Sequence, residues 1–180
     1  YLNQEKYSKL IEGKSVGDSE HFLLSQTNKN QPRKKLPSSP ESKALTSYII
    51  QISKEYPPLI SIDLHEDDMI NEGYIYSQGK SGTNDIIAKK IVDILLKNNI
   101  PIKMKGKTRF GEDIVNGIVG YQNDGSIDEL ISSKKIYFNK KVIAGPSAKT
   151  AIVVETPAAA ISLAIRKKAH LKILEFLQAI

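Results

Sequence analysis

The chain has 180 residues, 40% apolar and 26% charged, which is the composition of a globular domain and not of a disordered segment. Lys and Arg outnumber Asp and Glu by 26 to 20, a net +6 spread along the chain. The densest basic runs, Arg33-Lys34-Lys35 and Arg166-Lys167-Lys168, are short and lack aromatic interleaving, so neither nucleic acid nor a membrane is expected as a partner. With no Cys, disulfides and thiolate metal sites are excluded, and no apolar run is long enough to span a bilayer.

Residues 13–39 lack apolar periodicity and are rich in Gly, Ser, Asn, Gln, Lys and Pro, so 1–39 is expected to be loop-rich. Ser39-Pro40-Glu41 then starts a helix with a cap residue, a proline at the first helical position and an acid in the first turn. The spacing predicts that it runs to about Lys54 with Leu45, Ile49 and Ile52 on one face. Pro57-Pro58 stops it. Residues 59–64 read as a strand ending at His65, where the sequence turns acidic through Glu66, Asp67 and Asp68. Tyr74-Ile75-Tyr76 is a second, short strand.

Thr83 or Asn84 is expected to cap a helix reaching about Asn98, with Ile87, Ile91, Ile94 and Leu95 on one face. A short strand over 100–104, a turn over 120–125 and a short helix capped by Ser126 follow. Thr150-Ala151-Ile152-Val153-Val154 is apolar and β-branched, the pattern of a strand buried on both faces, and it ends at Glu155. Thr156-Pro157 is expected to open the longest helix, whose Ile161, Leu163, Ile165, Leu171, Leu174 and Leu177 read as a core-packing face. Strands alternating with helices predict an α/β fold with a mixed, largely parallel central sheet flanked by helices, as one domain over 1–180.

Two residues share a placement. His65 and Glu155 each follow a strand at its carboxyl end, where functional groups gather in open α/β sheets. A histidine beside acids is also an ordinary polar loop residue. A glutamate closing Ala-Ile-Val-Val is costly to bury as an ion without a partner. A helix start could stabilise it through the helix dipole, so capping competes with a chemical role.

At these residues the sequence resembles the M14-type zinc carboxypeptidases. Ser61-Ile62-Asp63-Leu64-His65-Glu66-Asp67 is similar to the strand that carries the family's third zinc ligand. Ala151-Ile152-Val153-Val154-Glu155-Thr156-Pro157 is similar to the later strand that ends in its catalytic glutamate. Pro40-Glu41-Ser42-Lys43-Ala44-Leu45, Gly125-Ser126-Ile127-Asp128, and the last helix with Arg166 and His170 resemble further segments in the family's order, over roughly residues 37–180. The resemblance implies a zinc hydrolase acting on a peptide or an N-acyl amino acid. In it His65 would ligate zinc and Glu155 would be the general base. Asp63, on the same side of its strand as His65, reads as an orienter of the imidazole or a structural partner.

The chain also departs from that pattern. The family's other ligands come from a His-x-x-Glu motif, which is absent here: His21 precedes Phe22-Leu23-Leu24, and His170 precedes Leu171-Lys172-Ile173. A catalytic zinc normally takes three protein ligands. The expectation is that an N-terminal part carrying the motif precedes Tyr1; the alternative is a metal-free, non-catalytic binding domain of the same fold. In place of the family's Asn-Arg carboxylate clamp stand Asn30 and Arg33, which are not adjacent. Tyr137, with Tyr121 next, is the candidate for the substrate-covering tyrosine, although Lys-Ile-Tyr-Phe equally suits a packed strand. Arg109 and Glu112 lie in a polar loop that could edge the site.

Overall fold

A computed structural model describes residues 40–122, 126–139 and 141–180. The described residues of Tyr1–Leu59 and Gln122–Lys149 form one compact unit, and Ile60–Tyr121 with Thr150–Ile180 form another.

The first unit contains helix α1 (Pro40–Glu55), a short helix α3 (Ile127–Ser132) and a hairpin of strands β6 (Lys135–Phe138) and β7 (Lys141–Ala144). The Ser126 hydroxyl caps α3 by accepting from the Glu129 N–H at 3.3 Å, as its sequence position predicts. The face of α1 differs from expectation. Thr46 and Ile50 are its buried residues, whereas Leu45 and Ile52 are exposed. Ile50 joins Leu130 and Ile136 in a small apolar cluster, so the helix is rotated relative to a reading from aliphatic spacing alone.

The second unit is a mixed sheet packed by helices α2 (Ile86–Lys97) and α4 (Leu163–Gln178), the α/β architecture expected. Its strands are β1 (Ile60–Asp67), β2 (Tyr74–Ser77), β3 (Lys105–Lys107), β4 (Asp113–Val115), β5 (Ile118–Val119) and β8 (Thr150–Pro157). They lie in the order β1-β8-β2-β5-β4-β3. Parallel ladders join β1 to β8 and β2 to β5, and the remaining pairs are antiparallel. Ile152 and Val154 of β8 face Ile91 and Leu95 of α2 and Ala169 and Ile173 of α4 in one buried cluster. Each fully buried aliphatic side chain there contributes about 1.5–3 kcal/mol. Tyr74, Ile114 and Val119 form a separate cluster, with Ile70 and Tyr76 packed against it.

Several boundaries move. Asp85, not Thr83 or Asn84, caps α2: its Oδ1 accepts from the N–H groups of Ile87 at 2.8 Å and Ala88 at 3.2 Å, while 82–84 form a short 3-10 turn. The strand expected over 100–104 is a single bridge, Ile102 to Gly73, and the regular strand begins at Lys105. Strand β8 continues through Thr156 and Pro157, and α4 starts only at Leu163. Glu155 is therefore not at a helix start, and the dipole-capping reading falls away. The buried face of α4 is Arg166, Ala169 and Ile173; Leu163, Ile165, Leu171 and Leu174 are exposed. Among the described residues no helix is long and apolar enough to cross a membrane.

Candidate active site

Strands β1 and β8 run parallel with His65 directly opposite Glu155 in the ladder. Directly opposed residues project to the same face of a sheet, so the ladder sets the two side chains together. His65 Nδ1 lies 3.9 Å from Glu155 Oε1. Neither residue ends its strand, because both strands continue two positions further, to Asp67 and Pro157.

Side chains alternate along a strand, so Asp63, two positions before His65, shares its face. Asp63 Oδ2 sits 3.0 Å from His65 Nε2, the nitrogen turned away from Glu155. The pairing favours the tautomer with the proton on Nε2, leaving the Nδ1 lone pair on the Glu155 side. Asp67, two positions after His65, pairs with Arg109: Nη1 lies 3.1 Å from Oδ2 and 3.4 Å from Oδ1. The Phe110 ring packs on the Arg109 guanidinium at 4.8 Å.

The Arg109 loop is firmly tied. Tyr76, on β2, donates its hydroxyl proton to Glu112 Oε2 at 2.7 Å, and Thr108 Oγ1 donates to the same oxygen at 2.8 Å. Thr108 Oγ1 in turn accepts from the Phe110 and Glu112 N–H groups. Arg109 and Glu112 were legible as a polar loop; the tyrosine that fastens it to the sheet was not. Burial, and then the bond to Glu112, push the Tyr76 hydroxyl well above the ordinary tyrosine range.

Glu155 is largely buried, with a side chain 17% exposed against 53% for His65, and Asp67 beside it is buried further. Burial raises its carboxyl above the ordinary value of 4.5. His65 pulls it back, Asp67 pushes it up again, and Arg109 and Asp63 follow with opposing effects. On the other side of β8, Tyr74 of β2 is the ladder partner of Glu155, and burial raises its hydroxyl too. An open pocket of about 270 Å³ is lined by His65, Asp67, Met69, Tyr74, Arg109 and Glu155, among others.

The remaining sequence candidates are placed differently. Asn30, Arg33 and His21 lie outside the described residues. Tyr137 is in β6, in the other unit. His170 and Arg166 act on the reverse face of the sheet. His170 Nε2 lies 2.9 Å from the Thr156 hydroxyl, and Arg166 Nε lies 2.9 Å from Glu66 Oε1, close enough for an ion pair but off the hydrogen-bond direction.

The fit to a zinc ion is partial. His65 has the ligand's form, one nitrogen held by a carboxylate and the other turned to the site. Among the described residues, however, no group of three or more His, Cys, Asp or Glu side chains is arranged to hold a metal ion. The described residues thus do not complete the ligand set of a catalytic zinc.

No protein-family profile matches the chain, and no curated protein matches it. Solved structures do. A candidate metallopeptidase from Shewanella baltica OS155 superposes with a TM-score of 0.66 at 20% identity over 89% of this chain and 53% of its own. One from Shewanella amazonensis SB2B gives 0.64 at 16% identity over 88% and 52%. One from Shewanella denitrificans OS217 gives 0.59 at 21% identity over 77% and 46%. The chain therefore shares the α/β fold of these structures and spans about half their length.

Proposed function

We propose that this chain carries the catalytic strand pair of a zinc-dependent hydrolase of the M14 carboxypeptidase-like kind, cleaving an amide bond in a peptide or an N-acyl amino acid. The observation that carries the reading is the facing of His65 and Glu155 across the β1–β8 ladder, with Asp63 on the outer imidazole nitrogen.

In this reading Glu155 is the general base. It accepts a proton from the attacking water and returns it to the leaving amine. A carboxyl raised by burial is a better base near neutral pH than one at the ordinary value. His65 is a zinc ligand oriented by Asp63. Zinc, when bound, would polarise the scissile carbonyl. Among the described residues His65 is the one ligand of that set, and no group of three or more His, Cys, Asp or Glu is arranged to hold a metal ion. Substrate-gripping roles for Asn30, Arg33 and Tyr137 rest on the sequence resemblance alone. The same fold in three candidate metallopeptidases supports the class.

The test is a metal assay joined to a hydrolysis assay on N-acetyl amino acids and dipeptides, reading release of free amine. Zinc retained by the wild type and lowered by His65→Ala, with hydrolysis abolished by Glu155→Gln, supports the reading. Near-normal turnover in Glu155→Gln overturns it. Neither metal nor hydrolysis in the wild-type protein would leave a metal-free binding domain.

A further inference from the structure

We propose that Arg166 and His170 are positioning residues that hold the His65–Glu155 pair at its working separation from the reverse side of the sheet. This rests on the catalytic reading above.

The ladder step after His65 and Glu155 pairs Glu66 with Thr156. Because side chains alternate, these two point to the opposite face. There α4 meets both of them. Arg166 reaches Glu66 at 2.9 Å and His170 reaches Thr156 at 2.9 Å. Arg166 and His170 are four residues apart on one helix, hence one turn apart on one side. One helical turn therefore grips both strands immediately behind the site.

Arg166 does more than pair. Its Nη1 donates to the carbonyl oxygens of Ala158 at 2.5 Å and Ile161 at 3.1 Å, in the segment that follows β8. It thus ties β1, the segment after β8 and α4 at one point. The tether matters most for β1. That strand is at the end of the described sheet order and has a ladder on one side only, with β8. Beyond Leu64 it is held by that ladder, by the Asp67–Arg109 pair on the site face and by the Glu66–Arg166 pair on the reverse face. Lateral drift of β1 would carry His65 away from Glu155 before the ladder was lost. Thr156 is fully buried and Arg166 nearly so, while the Glu66 side chain is about a third exposed.

The test compares Arg166→Gln, Arg166→Lys and Thr156→Val with Ile173→Val, a change in the apolar core face of the same helix. Temperature is chosen so that all variants are folded. A misplacement on the order of 1 Å costs up to about 100-fold in rate. The expectation is that Arg166→Gln lowers kcat at least about tenfold with KM within about twofold. Thr156→Val should lower kcat less, Arg166→Lys should recover part of the loss, and Ile173→Val should leave kcat unchanged at a comparable fall in Tm.

Hydrogen exchange provides a readout independent of turnover. Amides of Leu64, His65 and Glu66 should exchange selectively faster in Arg166→Gln, while Ile173→Val should not single them out. If Arg166→Gln and Ile173→Val lower kcat equally at matched Tm, or if exchange rises uniformly in both, the positioning role is wrong. If the wild-type protein hydrolyses nothing, the catalytic reading fails, and selective exchange alone decides whether the latch exists.

Discussion

His65 Nδ1 faces Glu155 Oε1 at 3.9 Å because the two residues are register partners in a parallel ladder. A one-residue slip of β1 against β8 would turn one of them to the opposite face. The register is held by Ile62 opposite Ile152 and Leu64 opposite Val154, whose side chains meet the apolar core while His65 and Glu155 face away from it.

Glu155→Gln should abolish hydrolysis, by a factor on the order of 100 to 10,000, with the fold intact. In the wild type the rate should rise with pH through an inflection above the ordinary carboxylate value of 4.5. Steady-state kinetics over pH measures both.

The same substitution should stabilise the protein at neutral pH. The folded-state value of Glu155 is raised, so the folded chain still holds a proton that the unfolded chain has released. Stability then falls as pH rises from 4.5 through the folded value. Removing the charge removes that loss, and the Tm of Glu155→Gln should exceed wild type near pH 7 and converge with it in acid.

His170 gives the opposite slope by a different route. Burial lowers its imidazole below the ordinary 6.5, with the neighbouring Glu66 opposing and Arg166 reinforcing. The unfolded chain takes up a proton first as pH falls, so stability drops below about pH 6.5 until the folded value is passed. His170→Gln should flatten denaturation midpoints over that window; an unchanged slope would remove His170 as its source.

Asp85→Ala should cost about 3 kcal/mol. The side chain caps α2 with Oδ1, and its Oδ2 accepts from Thr150 Oγ1 at 2.9 Å and Ser77 Oγ at 3.2 Å, so the change strands buried donors on three elements. Urea denaturation reads it directly.

Gly73→Ala should disturb the site without touching a chemical group. An added Cβ would stand 2.3 Å from the Glu155 carbonyl oxygen and 3.2 Å from Pro157 Cδ, so β8 must shift where it carries Glu155. A loss of about 1–3 kcal/mol is expected, with hydrolysis falling further than stability explains. Activity at full wild-type level would show that the strand yields elsewhere.

Much of the site was legible because strands and acids write a local pattern. The β-branched run before Glu155 marks a strand buried on both faces, and the i, i+2 spacing puts Asp63 beside His65. The cap of α2 falls one or two residues after the expected Thr83 or Asn84, because a 3-10 turn takes up 82–84 and Asp85 follows it. The face of α4 was misread because its buried stripe contains Arg166, a residue buried only because Glu66 and the carbonyls of Ala158 and Ile161 satisfy it. Thr156-Pro157 looked like a helix start and proved to be the end of β8, since the ladder with β1 extends to Pro157.

By itself the sequence determined the α/β pattern, the placement of β1, β8 and α2, and the candidate status of His65 and Glu155, since these follow from side-chain periodicity over a few residues. Only the tertiary structure decided that the two face each other, that Tyr76 fastens the Arg109 loop through Glu112, and that α4 grips Glu66 and Thr156 behind them. Those are contacts between segments far apart in the chain, set by ladder register and core packing, and no local pattern encodes a register.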